Sequence, residues 1–300
     1  MADGTTPAEA RDFVFTARDF ERVRKLIYGK AGIALAESKE EMVYSRLARR
    51  LRALRLDSFK TYLDGLEAGG SEQEWQDFTN ALTTNLTSFF REAHHFDALR
   101  DFLRQQPRDR QVRIWCSAAS TGEEPYSLAI TACEAYDSLT PPVAILSTDI
   151  DTNVLATAER GVYPLDRIEK MSLERKRRFF QKGQGSTAGQ CRVVEPLRKL
   201  LTFRQLNLLD ARYPMKGPFD AIFCRNVMIY FDKPTQLSVL KKMVPLLSHD
   251  GLFFAGHSES FFHAADVIQP IGRTIYKRSA RNAHEAAASG PVAARAHRVS

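Results

Sequence analysis

The residues best placed to do chemistry fall in four short segments. The first, Ile114-Trp115-Cys116-Ser117-Ala118-Ala119-Ser120-Thr121-Gly122-Glu123-Glu124-Pro125, passes from an apolar run through small residues into a helix start with Pro in its first turn. Small side chains let the backbone approach a ligand closely at the carboxyl end of a strand, where open α/β sheets bind nucleotides. With one Gly rather than a Gly-rich fingerprint, an ordinary strand-to-helix turn reads the same way. The second segment, Ser147-Thr148-Asp149-Ile150-Asp151, ends the next strand in carboxylates. Asp149 could accept both hydroxyls of an adenosine ribose, whereas Asp151 suits a helix cap before Val154 and Leu155. Together the two segments favour an adenosine-bearing cofactor.

The third segment, Phe219 to Phe231, is a buried strand that ends in the polar pair Arg225-Asn226 and then turns apolar again. A polar pair at the mouth of a central strand is where a substrate or cofactor edge would lie. Met228, Ile229 and Phe231 read as core or pocket wall, and Tyr230 stands between wall and chemistry. The fourth, Thr83 to Phe96, crowds hydrogen-bonding groups beside Phe89 and Phe90, which a simple linker does not need. A capped helix start over Thr87 to Phe96 is the alternative. His94 and His95 are adjacent, so on a helix they diverge by roughly 100°, and without a third ligand no metal site is expected.

These segments need elements to hold them. Up to about residue 84 the chain reads as consecutive helices: Thr16 can cap a helix carrying Phe20, Val23 and Ile27, with Gly32 as its stop. Ser38 with Glu41, and Ser71 with Glu74, have capping-box spacing. From about Gln111 short β-rich runs alternate with helical segments: Val112 to Cys116, Val143 to Ser147, Leu201 to Gln205, Ala221 to Cys224 and Leu252 to Ala255. That rhythm predicts a parallel sheet covered by helices on both faces. Lys182 to Gln190, rich in Gly, Ser and Gln, followed by a strand-like Cys191 to Glu195, predicts a hairpin-like insertion. Residues 1–12 and 279–300 are too poor in large apolar side chains to repay ordering and are expected to be disordered.

Composition bounds the classes. The 300 residues are 44% hydrophobic, enough for a sizeable core, and no run approaches the roughly 18 apolar residues of a membrane span. Met1 to Ala10 lacks the apolar stretch of a signal peptide, so a cytoplasmic protein is expected. Cys116, Cys133, Cys191 and Cys224 are far apart and read as buried thiols rather than a zinc site or disulfides. A net charge of +7 favours an anionic partner.

Taken in order, these motifs resemble the CheR-type chemotaxis receptor glutamate methyltransferases over about residues 15–278. The resemblance rests on Asn85-Leu86-Thr87 with Phe89-Phe90-Arg91-Glu92, on Ser120 to Ser127, on Asp149-Ile150-Asp151, on Phe219 to Phe231 and on Gly251 to Glu259. It implies an α/β fold: a Rossmann-like methyltransferase domain over 85–278 with a small antiparallel β-subdomain inserted at about 180–200, plus an all-helical N-terminal domain over 13–84. It implies S-adenosylmethionine as cofactor, with S-adenosylhomocysteine as product. Asn85, Thr87 and Arg91 would reach it from the domain junction, and Arg91 suits its carboxylate. Glu123 and Asp149 would hold its amino-acid and ribose parts, with Glu124 the alternative to its neighbour. Asn207-Leu208 and Arg225-Asn226 would line the adenine and methyl-donor side. In some family members the β-subdomain docks on a short peptide at the receptor's C-terminus, and the length and glycines of Gly183 to Gly189 suit that type.

A glutamate carboxylate is already ionised near pH 7, so its methylation requires alignment and no general base. Capture of an acidic receptor helix would demand a basic surface. The helix from Glu41 to Leu56 offers one, with Val43, Leu47, Leu51 and Leu54 on one face and Arg46, Arg49, Arg50 and Arg52 round the other. A solvated helix face is the plainer reading of those arginines. The partner implied is the cytoplasmic helical region of transmembrane chemoreceptors, with neither nucleic acid nor direct membrane insertion expected. A nucleic-acid methyltransferase is the enzymatic rival. Against it, Arg225-Asn226-Val227-Met228 stands where an amino-methylating enzyme would show an acidic or Asn residue, then Pro-Pro and an aromatic. A cofactor-binding module without turnover is a rival of another class.

Overall fold

The computed structural model describes residues 11–279. The disordered ends expected from the sequence therefore lie outside the described residues, apart from Arg11, Asp12 and Ser279. Ser279 is buried, and its N–H donates to the Val267 carbonyl at 3.1 Å.

The helical part is built from α1 (Ala17–Ala31), α2 (Glu40–Leu54), α3 (Phe59–Glu67) and α4 (Glu72–Leu82). Thr16 and Asp19 form a reciprocal capping box at the start of α1, and Gly32 ends it at φ 69°. Neither of the other two expected boxes forms completely. Ser38 lies in a 3-10 turn, Glu37–Lys39, that runs directly into α2, so the amides at this end are used in i→i+3 bonds. Ser71 does cap the Glu74 amide, but the Glu74 carboxylate turns away to Arg50 and to the Tyr62 hydroxyl. A tertiary ion pair wins over the local contact. Val23, Ile27, Leu47, Leu51, Phe59 and Phe78 are fully buried between these helices.

That packing changes the meaning of the arginine-rich face of α2. Arg50 pairs with Glu74 and, at 2.7 Å, with Asp77. Arg46 donates to the carbonyls of Ala81 and Thr83, and Arg52 pairs with Asp12 at 2.5 Å. Of the four arginines expected to face a receptor, Arg49 makes neither an ion pair nor a side-chain hydrogen bond among the described residues. Positions 46–55 contain no acid, but the fold brings three, Glu74, Asp77 and Asp12.

The rest is a mixed sheet with helices on its faces. In chain order it comprises α5 (His94–Arg104), β1 (Val112–Cys116), α6 (Glu123–Tyr136), β2 (Val143–Asp149), α7 (Thr152–Arg160), β3 (Val162–Pro164), α8 (Leu173–Phe179), β4 (Phe180–Lys182), β5 (Gln190–Val193), α9 (Glu195–Arg198), β6 (Leu201–Gln205), β7 (Phe219–Phe223), α10 (Lys233–Met243), β8 (Leu247–Phe254), β9 (Ile268–Gly272) and β10 (Ile275–Arg278). The seven-stranded sheet has the order β6-β2-β1-β7-β8-β10-β9. β6, β2, β1, β7 and β8 are parallel, and β10 runs antiparallel between β8 and β9. Chain order reverses between β1 and β7, which is the switch point where such sheets bind ligands.

Three details depart from expectation. The strand after α6 extends two residues further than predicted, so Asp149 is its last residue. The antiparallel pair β9 and β10 was not foreseen. The insertion is a three-stranded sheet, β3-β5-β4, that starts at Val162, well before residue 180. Burial of Trp115, Tyr126, Phe223 and Phe254 fixes the helices to the main sheet, and all four cysteines are buried and free. Among the described residues, no helix is long and apolar enough to cross a membrane.

Gly122 is the tightest point in this arrangement. Its φ is 100°, and a Cβ there would sit 2.5 Å from the Tyr163 hydroxyl and 2.9 Å from the Ala158 Cβ. Gly122→Ala should therefore destabilise the protein by about 2–4 kcal/mol through backbone strain and overpacking, read as a lower urea midpoint.

Candidate active site

A cavity with about 860 Å³ of space, its open mouth included, lies at the carboxyl ends of β1, β2, β6 and β7. The loop after β1 forms its floor. The Ser117 N–H bonds the Phe223 carbonyl at 2.8 Å and the Ala119 N–H bonds the Thr148 carbonyl at 2.9 Å, so this loop is stitched to both neighbouring strands. Ser117, Ala118 and Ser120 face the space, and the Ser117 hydroxyl is buried without a protein partner.

Asp149 lines the same space. One carboxylate oxygen accepts from the Ser120 amide at 2.8 Å and the other from the Asp151 amide at 3.0 Å. Burial pushes its pKa up to about 6, against the pull of those amides. Asp151 takes the capping role: its carboxylate accepts from the amides of Asn153 and Val154 and also holds Thr83 and Asn85.

A strap without regular structure, residues 83–91, roofs the cavity and places Asn85, Thr87 and Arg91 on its lining. The Arg91 guanidinium donates to the Leu86 carbonyl at 3.0 Å. Asn207 and Leu208 line the opposite wall, and Asn207 also donates to the Lys30 carbonyl at 2.8 Å, so the helical part is docked beside the site. Ala31 and Ile33 complete the lining from that part, a contribution no motif signalled.

Arg225 and Asn226 close the far end. Arg225 is buried, with one guanidinium nitrogen on Glu124 at 2.7 Å and another on the Arg91 carbonyl at 2.5 Å. Asn226 sits at φ 56°, and Tyr230 lines the wall beyond it. The backbone of this loop is held by a residue whose role the sequence did not disclose. The buried Glu259 carboxylate accepts five N–H bonds, from Asn226, Val227, Met228, Ile229 and Gly256.

The expected site residues thus converge, except Glu123. Its carboxylate is absent from the lining and accepts from Thr121 at 2.6 Å and from Arg167. Glu124, one residue on, is the carboxylate that lines the cavity. The 100° turn between adjacent helical residues sends the two in different directions, which sequence could not resolve. The His94 and His95 rings are both directed to the Arg273 carbonyl, and no group of three potential metal ligands occurs among the described residues.

A sheet whose parallel strands reverse order beside a cavity of small residues, with a strand-end carboxylate opposite, defines a Rossmann-like site for an adenosine-bearing cofactor. Comparison with known proteins agrees. Residues 85–277 match the CheR methyltransferase, SAM binding domain, and residues 18–83 match the CheR methyltransferase, all-alpha domain. The chain is 57% identical to chemotaxis protein methyltransferase 2 of Pseudomonas aeruginosa, over 89% of this chain and 95% of that one. It is 50% identical to the chemotaxis protein methyltransferase of Salmonella typhimurium and 48% identical to that of Escherichia coli, each over 87% of this chain and 90% of the relative. The chain belongs to the CheR methyltransferase family.

Glu259→Ala would leave buried amides without an acceptor and should cost about 3 kcal/mol of stability. Because the released amides belong to the loop carrying Asn226 and Tyr230, calorimetry of the folded fraction should also show weaker S-adenosylhomocysteine binding.

Proposed function

We propose that the chain converts glutamate side chains on the cytoplasmic helical region of chemoreceptors to methyl esters, acting in the cytoplasm. The observation that carries this reading is the Asp149 carboxylate, fixed by two amides at the end of β2 and lining the cavity between the strap and Arg225. S-adenosylmethionine, when bound, supplies a methyl group already activated on a sulfonium. The protein's own residues bind and orient. Asp149 would accept hydrogen bonds from the ribose hydroxyls, Ser117 and Ala118 would leave room for the nucleoside, and Arg91 would meet the carboxylate, all from the cavity lining. Asn85, Thr87, Asn207, Leu208 and Asn226 complete the enclosure, with Glu124 rather than Glu123 beside the amino-acid part. The glutamate oxygen needs no base, so the contribution is one of alignment and exclusion of water.

Capture of the acidic receptor falls to Arg49, the exposed α2 arginine whose guanidinium has no partner among the described residues. The sheet β3-β5-β4 with its Gly183 to Gly189 connection suits docking of a receptor C-terminal peptide along a strand edge. Incubation with labelled methyl donor and receptor-containing membranes should release methanol on alkali treatment. Labelled nucleic acid and no labile methanol would overturn the reading in favour of the basic-protein rival.

Two further outcomes follow from named residues. Asp149 serves the ribose in its ionised form, so S-adenosylhomocysteine affinity should be level above about pH 7 and fall as pH drops through 6, approaching roughly tenfold per unit. Calorimetry across that range checks it, and Asp149→Asn should bind weakly with no such slope. Arg49→Glu should raise the receptor KM about threefold to tenfold at low salt with the urea midpoint unmoved. Arg50→Glu, placed against Glu74 and Asp77, should instead lower the midpoint.

A further inference from the structure

The carboxylate of Glu123 is 1% exposed, yet it does not face the cavity. Its partner is Arg167, in a 3-10 turn (Leu165–Ile168) that follows β3 and lies on the path into the small sheet. Arg167 Nε donates to Glu123 at 3.1 Å, and a terminal nitrogen of the same guanidinium donates both to Glu123 and, at 3.0 Å, to the Thr87 carbonyl. One side chain therefore ties the first turn of α6 to the middle of the strap.

The neighbours of Arg167 press on the same stretch. Phe89 packs edge-on against Tyr163 of β3 and Phe180 of β4, with ring centroids 5.1 and 5.6 Å away. The Tyr163 hydroxyl donates to the Thr121 carbonyl at 2.8 Å, two residues before Glu123. The Arg175 guanidinium lies 4.0 Å from the Phe90 ring centre. Thr87 and Arg91, on either side of these contacts, line the cavity, while Phe90 and Glu92 hold left-handed backbone that needs support.

We infer that Arg167 is a positioning residue for the donor cavity: through the Thr87 carbonyl it fixes the strap from outside, with Glu123 as its anchor. Arginine suits this role because its planar fork serves two acceptors at once, which a lysine cannot do in the same geometry. Arg167 touches neither donor nor acceptor. The inference rests on the cofactor reading above and adds that the wall of the site is set by the small β-sheet region.

The test separates positioning from neutralisation of a buried charge. In Arg167→Gln, hydrogen exchange of the ligand-free protein should speed up at the strap amides of residues 87–91 while β1 and β2 keep their protection. Calorimetry should show S-adenosylhomocysteine binding weakened about tenfold. The double variant Arg167→Gln/Glu123→Gln removes the unpaired buried carboxylate, so it should regain folding stability yet keep the loosened strap and the weak binding. Arg167→Lys should fall between. Wild-type strap exchange and affinity in Arg167→Gln, or recovery of affinity together with stability in the double variant, would overturn the inference. Wild-type protein that binds no S-adenosylhomocysteine would overturn the cofactor reading itself.

Discussion

The buried guanidinium of Arg225 is the constraint on which the site depends. Its side chain is fully enclosed, 5.6 Å from the Phe96 ring centre, with Glu124 of α6 at 2.7 Å and Glu92 of the junction at 3.4 Å. A charge so placed is tolerable only while paired, and loss of the guanidinium would leave two carboxylates uncompensated beside each other. The pairing joins the end of β7, the start of α6 and the foot of the strap, which are remote in sequence. Burial alone would push Glu92 upward, but His257, Arg225 and Asn226 outweigh it and hold the carboxyl down at about 2. His95, buried beside the same guanidinium, is lowered as well, to about 4, first by burial and then by that positive charge, so its ring is held neutral where Glu92 is held ionised. The cluster is thus one in which each charge state is set by its neighbours.

Around this centre the backbone is repeatedly left-handed at residues other than glycine: Phe90, Glu92, Ser120 and Asn226 all have positive φ. Such conformations persist when surrounding bonds over-determine them. Here the anchors are visible. The Phe90 amide donates to the Ser127 hydroxyl at 2.9 Å, the Ser120 amide to Asp149 and the Asn226 amide to Glu259. Asp149 therefore has two tasks, shaping the loop after β1 and offering its remaining lone pairs to the cavity.

How much of this was legible in the sequence depended on range. Thr16 as a cap, Gly32 and the five core strands could be read because capping and alternation are local physics, and the sheet's ligand edge followed from them. Asp149 and Arg225 stood out because a polar side chain at a strand end costs desolvation unless it finds a partner there, whereas Asn85 and Arg91 were singled out through the family resemblance. What could not be read was every partner chosen by tertiary packing. Glu74 left its local cap for Arg50, Glu123 turned from the cavity to Arg167, and Glu259 gave no hint that its carboxylate would gather the amides of another loop. β3 was missed because three residues carry too little pattern to separate from a turn, and β9 because Pro270 and Gly272 interrupt its alternation.

The arginines show why a count of charge is a poor guide to a partner. The strap lacks a helix or ladder to satisfy its carbonyls, and buried carbonyls must find donors. Arg46 of α2 reaches the Thr83 carbonyl, Arg167 reaches that of Thr87 and Arg225 reaches that of Arg91, at 2.5, 3.0 and 2.5 Å. Three arginines from three regions of the chain thus bind the strap at intervals of four residues. Arg46 belongs to the very face that the sequence offers as a receptor surface, so part of the basic excess is committed to holding the roof of the cavity. The remainder, exemplified by Arg49, is exposed and screened over roughly 8–10 Å by physiological salt. Its attraction to an acidic helix can steer encounter, whereas the internal arginines determine whether the cavity is shaped to act once the encounter has occurred.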